Sequence, residues 1–186
     1  MNVQVEICVE STSFAEAAAE AGADRLEVCD RLDLDGLTPQ VGDVASALGT
    51  GVSVVAMLRN RVDFLAGNDG GASLLGPLRE FAAMGVQGVV FGFLQADGQL
   101  DWDSNRRLLE VAKEHDLEVV FHRAIDAASD PLLIAAQLQE LQFDRVLSAG
   151  GAGTILEGSE AFLRMRAQSP KLNWMPGGGV RGENVI

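Results

Sequence analysis

Two triplets carry the strongest chemical signal in the chain: Glu6-Ile7-Cys8 and Glu27-Val28-Cys29, 21 residues apart. Alternate side chains of a strand share a face, so each triplet presents a carboxyl and a thiol together, and Arg25 joins the second pair. If that face points inward at the end of the strands, two carboxyls and two thiols share one mouth. Carboxyls do acid–base work when burial or a neighbour shifts their proton affinity, which makes Glu6 and Glu27 candidate catalytic residues. The plainer alternative is that the carboxyls fix register through ion pairs and the cysteines are inert core thiols. Arg25, Arg59 and Arg123 stand at a level where they can pair with the carboxyls or hold an anionic ligand.

A second constellation is Phe121-His122-Arg123-Ala124-Ile125-Asp126. His122 can serve as acid, base or ligand near neutral pH. Asp126 can orient it or hydrogen-bond the loop, and Arg123 can grip an anion with two parallel donors. The other histidine, His115, sits at a helix end and reads as a cap. Two glycine-rich loops follow late strands: Ser148-Ala149-Gly150-Gly151-Ala152-Gly153-Thr154 and Gly177-Gly178-Gly179-Val180-Arg181. Glycines let backbone N–H groups approach an anion near a helix start, so Ser148, Gly150, Gly151, Gly178 and Arg181 are candidate ligand contacts. Neither loop is followed by the Gly-Lys-Ser or Gly-Lys-Thr of a strict phosphate loop, and tight turns alone account for glycines too. The aspartates of the stretch 30–39 lack the spacing of a calcium loop.

The elements that position these residues follow a steady rhythm. Val3 to Val9 alternates apolar and polar, and a helix from Phe14 to Ala21 ends at Gly22. Ser13 with Glu16 reads as its cap, and Thr38-Pro39 reads as the start of the next helix. Further strands are expected at Arg25–Cys29, Val52–Leu58, Gly88–Phe91, Leu117–His122, Arg145–Leu147 and Leu172–Met175. Helices fall between them, with Asp130-Pro131 opening one and Ile155 to Ala167 forming the last. Strand and helix alternate without a break or hairpin. Charged residues line one face of several strands, and unusual residues gather at strand ends. These features favour a parallel TIM (β/α)8-type barrel over a doubly wound sheet. The rhythm stops after strand seven, so the expectation is one barrel domain, residues 1–186, truncated before its final βα unit, with open sheet edges that favour self-association.

Hydrophobic residues make up 47% of the 186 and charged residues 22%, enough for a packed core. Acidic residues outnumber basic ones 27 to 14, and a net charge of −13 disfavours nucleic acid and anionic lipid as partners. The N-terminus lacks a basic start and a long apolar run, and no run is long enough to span a membrane. Two cysteines without a leader point to a reducing, cytoplasmic setting.

Taken together, these motifs resemble the CutC family. Gly22-Ala23-Asp24-Arg25-Leu26-Glu27-Val28-Cys29, Gly36-Leu37-Thr38-Pro39, Phe121 to Asp126, Leu147-Ser148-Ala149-Gly150 and Gly177 to Arg181 with Asn184 fit its pattern in order. Arg59-Asn60-Arg61-Val62-Asp63-Phe64-Leu65 departs from it, since the family usually carries Arg-Pro-Arg and a later tyrosine. The resemblance implies a TIM barrel, a cytoplasmic copper-homeostasis role and a homodimer. It also implies Cys8 and Cys29 as metal ligands with Cu(I) as the cofactor, which suits two thiolates in two-coordinate geometry. The competing expectation is an enzyme acting on a small phosphorylated or carboxylated molecule, with His122, Asp126, Glu6 and Glu27 in catalysis.

Overall fold

The computed structural model describes residues 3–184. Within them, seven strands, β1 (Glu6–Val9), β2 (Arg25–Val28), β3 (Ser53–Met57), β4 (Gly88–Phe91), β5 (Glu118–Phe121), β6 (Arg145–Ser148) and β7 (Asn173–Pro176), alternate with six helices. The helices are α1 (Thr12–Glu20), α2 (Val41–Gly49), α3 (Leu75–Met84), α4 (Trp102–Glu114), α5 (Pro131–Leu141) and α6 (Ile155–Gln168).

The strands form one parallel sheet in the order β1-β2-β3-β4-β5-β6-β7. Their two faces bury different things. Val54, Ala56, Leu58, Val89, Phe91, Val119 and Phe121 face outward into a core shared with Leu78, Phe81, Leu108 and Leu138 of the helices. Cys29, Val55, Met57, Val90 and Val120 face inward and form a separate cluster, with Met175 against it. Strands lie about 4.8 Å apart in a sheet, so side chains from β2 to β7 meet in one cluster because the sheet curls. The result is a TIM barrel cut after strand seven, and β7 does not close onto β1 among the described residues.

Local signals explain most boundaries. The Asp130 side chain accepts from the N–H groups of Leu132 and Leu133, with Pro131 in the first turn of α5. Thr154 and Glu157 form a reciprocal capping box on α6. Two expected caps are displaced. Ser11, not Ser13, accepts from Phe14 N–H at the start of α1. Thr38 does not start a helix either: its hydroxyl is within hydrogen-bond distance of both the carbonyl and the N–H of Arg59, so it ties the β2–α2 loop to the end of β3. No helix among the described residues is long and apolar enough to cross a membrane.

Candidate active site

Inward residues fall into three levels, which separate groups that the sequence placed together. Glu6, Arg25, Glu118 and Arg145 each open their strand, so they form the floor at the N-terminal end rather than the mouth. Arg25 pairs with Glu6 and, at 2.5 Å, with Glu118. Glu118 also pairs with Arg145 at 2.9 Å. The expectation of Glu6 and Arg25 at the mouth is corrected: the paired part of β1 begins at Glu6, three residues later than the alternation suggests, and Arg25 is the first residue of β2. Glu118 and Arg145 were not anticipated. Their signal was present, since Glu118, Val120 and His122 alternate onto one face.

The register then decides the fate of the two triplets. Glu6 lies opposite Arg25 and Cys8 opposite Glu27, so the triplets are offset by two residues rather than level. Cys29 stands one inward position above Glu27, with its thiol donating to the Val9 carbonyl at 3.8 Å. Cys8 is exposed along the open edge of β1 and Cys29 is buried, and both are free. The charge of Glu27, first of all, pushes the Cys8 thiol well above its usual range, and crowding of the sulfur on its inner side adds to this. Burial, then Glu27, pushes Cys29 up to about 12. Thiolate is what binds a soft metal, and these thiols hold their protons. No group of three or more His, Cys, Asp or Glu residues among the described residues is placed to hold a metal ion. The expected Cu(I) site at Cys8 and Cys29, and the copper-homeostasis role built on it, are therefore corrected.

Glu27 occupies the middle level. It is 2% exposed, and its Oε2 has no hydrogen-bond partner. Burial, reinforced by repulsion from Glu6, raises its carboxyl to about 8, against the pull of Arg25.

The upper level is the mouth, where His122, Arg59 and Phe64 meet. His122 is the next inward residue after Val120 and is 4% exposed. Its Nδ1 accepts from the Ala124 N–H at 3.2 Å, which leaves the proton on Nε2. Burial and the charge of Arg59 lower it to about 3, so the ring is neutral. Arg59, also 4% exposed, donates from Nη1 to the carbonyls of Leu34, Asp35 and Gly36 and from Nη2 to Val62. Its Nε–H is buried without a partner. Among the described residues every bond of the guanidinium goes to a neutral carbonyl, and Asp35 and Asp63 act on its charge without hydrogen-bonding it. Phe64 carries both groups: Arg59 Cζ lies 4.7 Å from its centroid and the His122 ring 5.3 Å. Phe64 was not among the expected site residues, because an aromatic side chain in a loop gives no periodic signal.

Asp126 does not orient His122. Its Oδ1 accepts from Ser148 Oγ (2.6 Å) and Gly151 N–H (2.9 Å), and its Oδ2 from Ala149 N–H (2.8 Å) and Arg123 Nε (3.0 Å). Four donors saturate the carboxylate and pin the loop after β6. The Gly150 N–H donates to Ser148 Oγ at 2.8 Å, so the amides of Gly150 and Gly151 are already engaged. Gly150 packs directly on the backbone of Gly158 and brings α6 against the sheet. Gly178 adopts φ +96°, and a Cβ there would lie 3.2 Å from Arg123 Cζ, so the guanidinium rests against its backbone. Arg181 is exposed beyond β7, where its N–H is bound to Asn184 Oδ1 at 2.7 Å.

The comparisons with known proteins agree with this architecture. The crystal structure of CutC from Streptococcus agalactiae superposes with a TM-score of 0.89 at 26% identity, over 98% of this chain and 91% of that one. Phosphoenolpyruvate phosphomutase from Streptomyces platensis subsp. rosaceus shares the fold alone, at TM-score 0.62 and 16% identity, over 95% of this chain and 77% of that one. A CutC family protein of Vibrio vulnificus (strain YJ016) is 40% identical over the whole of this chain, which spans 75% of that relative's length. The sequence profile of the CutC family matches residues 3–186. By that match, and by the identity with its members, the chain belongs to the CutC family.

Proposed function

We propose that this protein is a TIM-barrel enzyme acting on a small carboxylated or phosphorylated molecule, which binds at the C-terminal mouth of the sheet. One observation carries the reading: Arg59 is a buried cation at the mouth whose guanidinium hydrogen-bonds only backbone carbonyls among the described residues. Asp35 and Asp63 act on its charge, but among the described residues neither hydrogen-bonds its guanidinium. An anionic ligand at the mouth would add a direct counter-charge. Barrel enzymes place their sites at this end, and phosphoenolpyruvate phosphomutase supplies an analogy in fold only.

In this reading Arg59 anchors the anion and the neutral His122 donates from Nε2. Arg123 and Gly178 form the far wall. Glu27 supplies acid–base chemistry from below. Asp126, Ser148, Gly150 and Gly151 hold the loop in shape, while Glu6 and Arg25 hold the floor. Two free cysteines fit a reducing cytoplasm. The exposed apolar residues Val3, Val5 and Ile7 along the open edge of β1 support self-association as a dimer.

The test is thermal unfolding in pyruvate, acetate or inorganic phosphate against chloride at equal ionic strength. A ligand of the folded state raises Tm with its concentration. The expected result is a saturable rise that Arg59→Met abolishes and Arg123→Met reduces. A Tm indifferent to all three anions contradicts the reading.

A further inference from the structure

The guanidinium of Arg59 is enclosed by two kinds of cover. Backbone carbonyls take its terminal nitrogens: Leu34, Asp35 and Gly36 on Nη1, and Val62 on Nη2. The Phe64 ring lies against Cζ, with its centroid 4.7 Å away. Asp35 and Asp63 act on the charge from outside hydrogen-bond contact. Under these covers the Nε–H is buried and, among the described residues, has no partner. A buried donor left without a partner is rare in a folded protein and calls for a reason. Here the donor belongs to the residue that anchors the anion in the reading above, yet an anion cannot reach it in this arrangement.

The two covers differ in what it takes to move them. The carbonyls belong to loops fastened to each other: the Thr38 N–H donates to the Arg59 carbonyl at 2.8 Å, and the Thr38 hydroxyl bonds the same residue. Withdrawing them breaks several hydrogen bonds. The Phe64 ring makes none. Its backbone is fixed, since its carbonyl accepts from the Leu94 N–H at 2.8 Å and Leu65 bridges Leu94. The movement open to it is therefore a rotation of the side chain, and the space for that rotation is beside it. A cleft of about 470 Å³, lined by Phe64 itself with Leu65, Leu94, Gln95, Ala127 and Ser129, opens between the loops after β3, β4 and β5. Clefts of that size hold drug-sized molecules, so one phenyl ring fits.

Departure of the ring leaves the site intact. Arg59 keeps its carbonyl bonds. His122, 5.3 Å from the Phe64 centroid, keeps the Phe121 ring at 5.9 Å and the Ala124 N–H on Nδ1. Both groups stay in place and lose the same neighbour, so one rotation uncovers a preorganised pair.

We propose that the Phe64 side chain is the gate of the anion site: it closes over Arg59 and His122 when the site is empty and turns into the cleft to admit the anion. This rests on the anion-binding reading above. A closed gate lowers the apparent affinity by the fraction of molecules that stand open. Removing the ring therefore tightens binding, whereas removing a mere support for Arg59 and His122 weakens it.

Calorimetric titration of the parent and Phe64→Ala with acetate and with inorganic phosphate tests this. Fluorine NMR of protein labelled with meta-fluorophenylalanine follows the ring, whose signal is identified by its absence from Phe64→Leu. The expected result is binding tightened by about threefold or more in Phe64→Ala, with a Phe64 signal in the parent that moves along the binding curve. Two outcomes overturn the gate while leaving the anion reading intact: Phe64→Ala that binds no more tightly than the parent, or a Phe64 signal unmoved as the parent saturates. Absence of binding of either anion to parent and variant removes both. Phe64 is half-buried on a loop, so a folded variant is expected, and the fluorine titration of the parent does not depend on it.

Discussion

Cys8 lies opposite Glu27, not opposite Cys29. That two-residue offset separates the thiols by about 6.6 Å along the strand direction. It also sets a carboxyl against a thiol: the charge of Glu27 pushes the Cys8 thiol up, while the hydrogen bond from Cys8 pulls against the rise of Glu27.

Thiol chemistry follows from this contact. Cys29 should resist iodoacetamide at pH 8 until the protein unfolds, because it is buried and raised to about 12. Cys8 is exposed but should react slowly, held back first by the charge of Glu27. Glu27→Gln should speed its alkylation by about tenfold, since one pKa unit changes the thiolate fraction tenfold. Peptide mapping after timed labelling gives both rates. Fast, equal labelling of the two cysteines in the parent runs against the placement of both.

Glu27 should leave a signature in stability against pH. Its folded pKa, about 8, lies above the ordinary value of 4.5. Between those values the folded state holds a proton that the unfolded state has released. Its contribution is therefore fully present below about 4.5 and is lost as pH rises to about 8. Glu27→Gln should remove that slope and be more stable than the parent at pH 8.5 by about 2–4 kcal/mol. Urea unfolding across pH 5–9 measures the difference. Parallel curves for the two proteins would place the titration elsewhere.

A glycine supplies a test with an unusual sign. Glycine to alanine inside a helix ordinarily stabilises by about 1 kcal/mol. Gly158 in α6 packs on the Ala149 carbonyl and on Gly150, where a Cβ has no room. Gly158→Ala should cost about 2 kcal/mol or more and loosen the loop that Asp126 pins. Gly76 in α3 has open space around its missing Cβ, so Gly76→Ala is the control and should be neutral or stabilising. Urea midpoints for the pair decide it, and a stabilised Gly158→Ala contradicts the close approach of α6.

The fold was legible because every level of the chain repeats the same instruction. Alternation, caps such as Asp130 and Thr154, and glycine stops such as Gly22 and Gly85 mark one βα unit after another. The inward phase of Glu27, Cys29 and His122 was legible as well, since it needs only the two-residue period of a strand. Strand stagger was not. Spacing along the chain gives the phase of two strands but not how far one slides past the other, and that slide set Glu6 opposite Arg25 and split the cysteines. Tertiary partners were equally hidden. Asp126 looked like a companion for His122 but binds the amides of Ala149 and Gly151 instead, and Arg59 looked like a free anion contact. Only the path of the loops shows that backbone carbonyls already take its two terminal nitrogens, with Asp35 and Asp63 acting on its charge from outside hydrogen-bond contact.

The most direct test of the anion-binding mouth is a pyruvate titration followed by nitrogen-15 NMR at the Arg59 Nε–H and the His122 Nε2–H. Before ligand, His122 should show a neutral ring with its proton on Nε2 from pH 5 to 8, since burial and Arg59 lower it to about 3. The predicted result is that both N–H signals move together along one binding curve, and that Arg59→Met abolishes the His122 response. Pyruvate binding that leaves both signals unmoved, or no binding in the millimolar range, would contradict the account.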